Sequence, residues 1–292
     1  MKPRAFISYC LVFICASVFF LFFSFPEEEA AARLSKFLST VQSDDFQLEI
    51  QSVQPGLPNR LTSDRAALLV GKETRIVPDR FDLLFNPFHL LGAEKKIRFK
   101  AVLNEGRIET DLHLTRLNPL NWSRIQLNLA DIRIDRYQYD TELARLTING
   151  LLNGNYMNSE KDPATEQPPG KGRWVLQNAS IKIGNRLFDR LNLSTVEFPA
   201  ISCEYRYDKR TITIDEILAR GPMINLSAKG KISLETPLNE SRLSLQGVLL
   251  PDSAQLSGFS SVNQIRSKVK NIRKEGIGFT ISGTILHPKI KI

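Results

Sequence analysis

The sequence predicts an all-β chain with a few helices, held behind one N-terminal membrane anchor. Three observations carry this. An uncharged apolar run opens the chain, period-2 alternation fills most of the remainder, and turn residues punctuate that alternation at short intervals. No βαβ rhythm is present, so successive strands are expected to pair antiparallel in a meander.

The anchor comes first. From Ala5 to Phe25 run 21 residues without a charge, seven of them Phe. At about 1.5 Å rise per residue they span roughly 32 Å, enough for a ~30 Å hydrocarbon core. Lys2 and Arg4 precede the run, and Pro26, Glu27, Glu28 and Glu29 follow it. The positive-inside bias leaves residues 1–4 as a cytoplasmic tip and places everything after 25 beyond the membrane. A cleavable signal peptide cut near Ala30 and Ala32 is the competing reading, but signal cores usually span about 7–15 residues and this one is longer.

Residues 26–42 read as a stalk helix. Pro26 suits a first turn, three Glu face the positive end of the dipole, and Leu34, Phe37, Leu38 and Val41 recur at helical spacing. A flexible tether is the alternative. After Asp44-Asp45 the period falls to two, in runs such as Phe46/Leu48/Ile50, Ile108/Thr110/Leu112/Leu114, Ile125/Leu127/Leu129, Ile201/Cys203/Tyr205/Tyr207 and Ile224/Leu226/Ala228. Turns are expected at Asn104-Glu105-Gly106, Asn149-Gly150, Asp208-Lys209, Lys229-Gly230 and Ser282-Gly283. Residues 43–154 and 173–292 form the two halves of the β domain, divided by a mobile loop over 155–172 that lacks periodicity and holds three Pro. Two helical interruptions are expected. One, within Phe81–Leu91, is a short helix or a broken turn around Pro87. The other is amphipathic, over 252–274, with Leu256, Phe259, Val262, Ile265, Val269 and Ile272 on one side and Arg266, Lys268, Lys270, Arg273 and Lys274 on the other. It either caps the sheet or lies on anionic headgroups.

Composition narrows the chemistry. The 292 residues include 39 Lys+Arg and 31 Asp+Glu, for a net charge of +8, but only three Cys and three His. The positive excess is spread along the chain rather than gathered beside aromatic residues, which argues against nucleic acid as a partner. Cys10 and Cys15 fall inside the anchor, so Cys203 is left alone and reads as a buried, inert thiol. His89, His113 and His287 are isolated, and no phosphate-loop, dinucleotide, nucleophile-elbow or zinc-protease pattern occurs. Asp131, Arg133 and Asp135 read as a solvated charge ladder, and Asp215-Glu216 as a strand end or turn. The chain is expected to be no enzyme and to hold no metal or cofactor.

Roughly fifteen strands each present an apolar side, and few helices are available to cover them. At about 25 cal/mol per Å² of apolar area, that side must close on itself as a sandwich or barrel, or curl into a trough occupied by something apolar.

The stretch Gly221-Pro222-Met223-Ile224-Asn225-Leu226-Ser227-Ala228-Lys229-Gly230-Lys231-Ile232-Ser233-Leu234 continues through Pro237-Leu238, Ser241–Gly247 and Leu250-Pro251. It resembles the type II secretion system protein N family in its longer, anchored form, and the order of anchor, helix, strands and Pro-rich loop is similar. Ile281–Ile285 and His287–Ile290 resemble the strand endings of AsmA-like envelope proteins. The resemblance implies a Gram-negative inner-membrane protein with its N-terminus cytoplasmic and its bulk in the periplasm, accessory to type II protein secretion and partnered by other secretion proteins. The AsmA-like relatives imply an elongated, curved antiparallel sheet with an apolar groove for phospholipid or lipopolysaccharide acyl chains, an alternative role as lipid carrier. Leu112, Leu114, Leu127, Leu129, Ile148, Leu226, Leu243 and Leu245 are the candidate groove-lining residues.

Overall fold

In the computed structural model the chain is described over residues 25–39, 46–56, 59–70, 74–85, 95–114, 122–140, 145–158, 169–184, 195–251 and 276–291. The expected anchor over 5–25 lies outside them apart from Phe25, as do the amphipathic helix over 252–274 and His89. Among the described residues no helix is long and apolar enough to cross a membrane.

Most of the described chain is one antiparallel meander. From β6 (Arg80–Phe85) each strand pairs with the one before it: β7 (Lys95–Leu103), β8 (Gly106–Leu114), β9 (Trp122–Asp140), β10 (Arg145–Asn158), β11 (Gly170–Gly184), β12 (Thr195–Asp208), β13 (Thr211–Arg220), β14 (Ile224–Ser233), β15 (Arg242–Pro251), β16 (Ile277–Thr284) and β17 (Pro288–Lys291). At the other end β3 (Arg60–Ser63) pairs with β6 and β2 (Gln54–Gly56) with β3, completing a 14-stranded sheet whose edges, among the described residues, are β2 and β17. A three-stranded sheet in the order β1 (Phe46–Ile50), β4 (Ala66–Val70), β5 (Thr74–Ile76) stands apart. The meander follows from short connections with matched turn chemistry. Asn104 and Glu105 take φ of 48° and 68°, and Lys209 and Arg210 take 44° and 65°, the paired left-handed values of a tight hairpin turn.

The turns expected at Asn149-Gly150, Lys229-Gly230 and Ser282-Gly283 instead fall inside β10, β14 and β16, and the irregularities between β9 and β10 are bulges. In β9, Asp131 and Arg136 have φ of 54° and 51°, and the register to β10 shifts beside both. Asn153 Oδ1 accepts from the Asp131 N–H at 2.9 Å, and Asn149 Oδ1 accepts from the Arg136 N–H at 2.7 Å, so two asparagines pin the extra residues. Bulges of this kind bend a strand and raise its local twist. Asp215 and Glu216 also sit at a bulge inside β13, not at a strand end as expected, because the register shifts between Ile214 and Ile217. Arg133 reaches Glu105 at 2.7 Å rather than joining Asp131 and Asp135 in a ladder, since the bulges on either side break the even spacing a ladder needs.

Two further expectations change. Phe81–Phe85 is strand, not helix. Phe81, Leu83 and Phe85 pair with Ala101, Phe99 and Ile97, while Asp82 takes hydrogen bonds from Thr62 (2.7 Å) and Arg80 (3.2 Å) on the opposite side. The segment read as helical because both sides of this strand carry Leu. The loop expected over 155–172 is shorter: Asn155–Asn158 ends β10, Gly170–Gly172 begins β11, and the sheet runs unbroken across the join.

The expected stalk is helix α1 (Glu27–Ser39), and it folds onto the β domain. Its first turn closes with Ala30 N–H donating to the Pro26 carbonyl at 2.9 Å, beneath three Glu that suit the positive dipole end. Ala31 is 1% exposed and packs with Ile50, Val53, Ala66, Phe81 and Leu83, so α1 and the small sheet cover the β3–β6–β7 end of the large one. A second core lies among β9–β14, around Leu176, Ala179, Val196, Phe198, Ile201 and Ala219.

Candidate functional site

Register sorts the large sheet into an apolar and a polar side. One apolar row crosses twelve strands: Leu83, Phe99, Thr110, Leu127, Tyr156, Gly172, Tyr205, Ile214, Gly230, Leu245, Ile281 and Ile290. The row one residue over begins with Leu84 and is otherwise polar but for Met157: Arg98, Asp111, Gln126, Met157, Lys171, Arg206, Thr213, Lys231, Ser244, Ser282 and Lys289. Period-2 alternation in sequence thus becomes two continuous surfaces.

The groove candidates fall together on the apolar side. Leu127 and Leu245 lie in the row above, Leu112 pairs with Ile125 and Ile97, Leu129 with Ile108 and Gly154, and Leu243 with Ile232 and Gly283. Leu226 stands opposite Ala219 and Leu249, and Ile148 opposite Ile181. Leu114 continues the β8 alternation, paired with Lys95 and Trp122. Except for Leu114, whose side chain lies outside the described set, all are half-buried, whereas Leu176, Val196, Phe198 and Ile201 nearby are buried. Among the described residues no second layer covers the apolar side beyond the end capped by α1 and the small sheet. The buried residues of β9–β14 come from neighbouring strands on this one side and pack against one another.

One stretch of the apolar side is aromatic. Tyr156 and Tyr205 flank Gly172 on adjacent strands, their rings 6.4 Å apart and within 8° of parallel. A Cβ on Gly172 would lie 2.5 Å from the Tyr205 ring, and one on Gly170 2.3 Å from the Tyr156 hydroxyl, so the two glycines make room for rings lying along the sheet. Burial pushes the Tyr156 phenol up to about 12 and raises that of Tyr205, so both remain protonated donors at neutral pH. The next row inward holds Trp174 and Cys203; the next outward holds Asn158, Gly170 and Tyr207. Cys203 is the buried, unpaired thiol expected, and burial pushes its pKa up to about 11. Sequence reading placed Tyr156, Gly170 and Gly172 in a loop; the signal for them was the alternation Leu152/Gly154/Tyr156/Asn158 continuing into that stretch.

The polar side is ordered by charge. Arg98 meets Asp111 directly across β7–β8, with Nη2 donating to Oδ2 at 2.9 Å, and Lys100 meets Glu109 at 2.7 Å. The Arg98 guanidinium holds the Asp111 carboxyl below the usual range, and Arg206 does the same for Asp215. A cavity of about 380 Å³ opens on this side, bounded by Asn128, Lys171, Arg173, Glu204, Arg206 and Asp215. A second, about 610 Å³, adjoins it at the strand ends, beside Asn158, Gly170, Lys171, Tyr207 and Asp208. His113 sits in β8 and His287 in the turn before β17, far apart in the sheet order. Among the described residues no His, Cys, Asp and Glu gather as a metal-ligand group.

No family model, curated protein or solved structure matches this chain.

Proposed function

We propose that this protein is a non-enzymatic component of the type II protein secretion machine, anchored in the bacterial inner membrane and presenting its sheet to the periplasm. It acts in assembly or support of the export machine. The observation that carries this reading is the large sheet, which among the described residues is uncovered beyond its α1 end and has β2 and β17 as unpaired edges, together with its ordered charged side. Partner strands add to such edges, and partner domains with complementary charge dock on such a surface. The resemblance of Gly221–Pro251, which forms the β14–β15 hairpin, supports the same reading. Deleting the protein tests it: type II substrates are expected to accumulate in the periplasm, and unchanged export overturns the assignment.

A second reading is favoured by the half-buried leucines of the apolar side, which form an AsmA-like trough for acyl chains. Leaving Leu112, Leu127, Leu129, Leu243 and Leu245 partly wet forfeits about 25 cal/mol for each Å² that a hydrocarbon chain would cover. Mass spectrometry of the gently purified protein is expected to find bound phospholipid or lipopolysaccharide, displaced by Leu127→Asp. Purification free of lipid overturns this reading and leaves the secretion role standing.

A further inference from the structure

We infer that the polar side of β14–β17 is a docking surface for an anionic phospholipid bilayer. This depends on neither the secretion reading nor the acyl-chain reading. The charged side of the large sheet changes character at β14. Before it, acids and bases interleave: Asp82, Glu109, Asp111, Glu204 and Asp215 on β6, β8, β12 and β13 pair with Arg80, Lys100, Arg98, Arg173 and Arg206. In contrast, β14, β15, β16 and β17 hold no acid at all. Their five cations, Lys229, Lys231, Arg242, Lys289 and Lys291, share one side. In register Lys229 lines up with Gln246, Thr280 and Lys291, and Lys231 with Ser244, Ser282 and Lys289. Arg242 stands one row further on, between Ser233 and Thr284. All five cations are exposed, and none has an ion-pair partner among the described residues.

Three strand steps of ~4.8 Å and two residues of ~3.3 Å put the four lysines at the corners of a rectangle of about 14 by 7 Å. Neutral hydroxyl and amide side chains fill it. Acids occur only at its margins: Asp215 is held by Arg206, Glu216 bounds a cavity of about 390 Å³ that Lys229 also lines, and Glu235 and Glu240 lie in the β14–β15 connection. The rectangle offers no aromatic or aliphatic anchor, since Val248 and Leu250 lie beyond it toward Pro251. Protein interfaces deplete Lys and gather their energy in buried Tyr, Trp and Arg. An anionic bilayer asks for the reverse, several hydrated point charges on one open side, each drawn by the surface potential without a fitted pocket. Like charges this close repel one another, and lipid phosphates relieve that repulsion. The patch lies at the end of the sheet away from α1, so it can meet a bilayer independently of the apolar run that opens the chain.

Vesicle capture tests this. The full-length protein in nanodiscs of pure phosphatidylcholine is floated with larger vesicles, made either of phosphatidylcholine alone or of an equal mixture with phosphatidylglycerol. Capture by the mixed vesicles alone, weakening as salt rises, is the expected result. Each lysine contributes a factor of about five, so Lys289→Gln/Lys291→Gln is expected to weaken capture roughly thirtyfold. Lys229→Gln/Lys231→Gln, on the inner strand, is expected to match it. Lys96→Gln/Lys100→Gln removes the same charge from the ion-paired end of this side and is expected to leave capture unchanged. All three variants are expected to keep the urea midpoint of the parent, so capture is read from folded protein. Equal capture by both kinds of vesicle, or equal weakening by all three variants, overturns the patch in favour of apolar contact or of net charge. No capture by the mixed vesicles also overturns it, and export impaired by Lys289→Gln/Lys291→Gln in cells then assigns the face to an acidic protein.

Discussion

Replacing Leu127 and Leu176 by Asp, one at a time, separates an open trough from a closed core. Leu176 is 6% exposed within the β9–β14 core. Truncating such a residue to Ala costs about 2–5 kcal/mol, and a buried carboxylate without a partner adds several more. Leu127 lies on the same side between Thr110 and Tyr156 in register, yet it is only half-buried. An Asp there keeps access to water and forfeits mainly strand preference and part of its contacts, about 1 kcal/mol. With a urea slope of about 2 kcal/mol per molar, the Leu127→Asp midpoint is expected to fall by ~0.5 M, whereas Leu176→Asp does not fold. Circular dichroism across a urea series reads both. If Leu127→Asp unfolds the protein as completely as Leu176→Asp does, the apolar side is closed and the trough is wrong.

Asp111→Asn tests the polar side. Because the Asp111 carboxyl is held below its unfolded value of about 3.9, its contribution is complete above that pH and fades as pH falls through the folded value. The variant is therefore expected to lose up to about 1 kcal/mol at pH 7, a gap that closes below about pH 4 in acid titrations of stability. Gly172→Ala places a Cβ 2.5 Å from the Tyr205 ring and 2.8 Å from the Asn155 carbonyl, and about 1–3 kcal/mol of destabilisation is expected. A Tyr205→Leu background should recover part of that loss in denaturation, and strict additivity of the two substitutions would show that the ring does not lie over the glycine. In a Cys10→Ser/Cys15→Ser protein, Cys203 is expected to resist maleimide at pH 8, where roughly one thiol in a thousand is ionised at a pKa of about 11. Rapid labelling without denaturant would contradict its burial.

The sheet was legible where one side of a strand faces water. Runs such as Ile224/Leu226/Ala228 alternate cleanly because Asn225 and Ser227 are exposed, and the expected hairpins at Asn104-Glu105 and Asp208-Lys209 carry residues suited to tight turns. Legibility fails where both sides are crowded: Leu83 is buried with α1 and the small sheet, Leu84 lies half-buried on the other side, and the alternation of Phe81–Phe85 disappears. It also fails where an apolar-side position is Gly, Asn or Tyr. Gly154, Tyr156, Asn158, Gly170 and Gly172 look loop-like one by one, and only pairing across three strands shows that rings from neighbours fill the glycine positions. Bulges are likewise silent in sequence, since the asparagines that pin Asp131 and Arg136 come from the next strand.

The secretion and lipid readings draw on different surfaces, so one molecule can serve both. Acyl chains need the side bearing Leu127 and Leu245, and the charged pairs Arg98–Asp111 and Lys100–Glu109 point the opposite way. Partner strands need an edge, and each edge ends in a short strand: β2 with three residues, β17 with four. β17 carries Pro288, Lys289 and Lys291, features that blunt indiscriminate pairing, so a strand that adds there has to bring compensating acidic residues. The bulges at Asp131 and Arg136 both lie in β9, the longest strand described, where Ile134 packs against the β9–β14 core on one side and Arg133 pairs with Glu105 on the other, so a substitution that removes a bulge is expected to shift both sides of the sheet together.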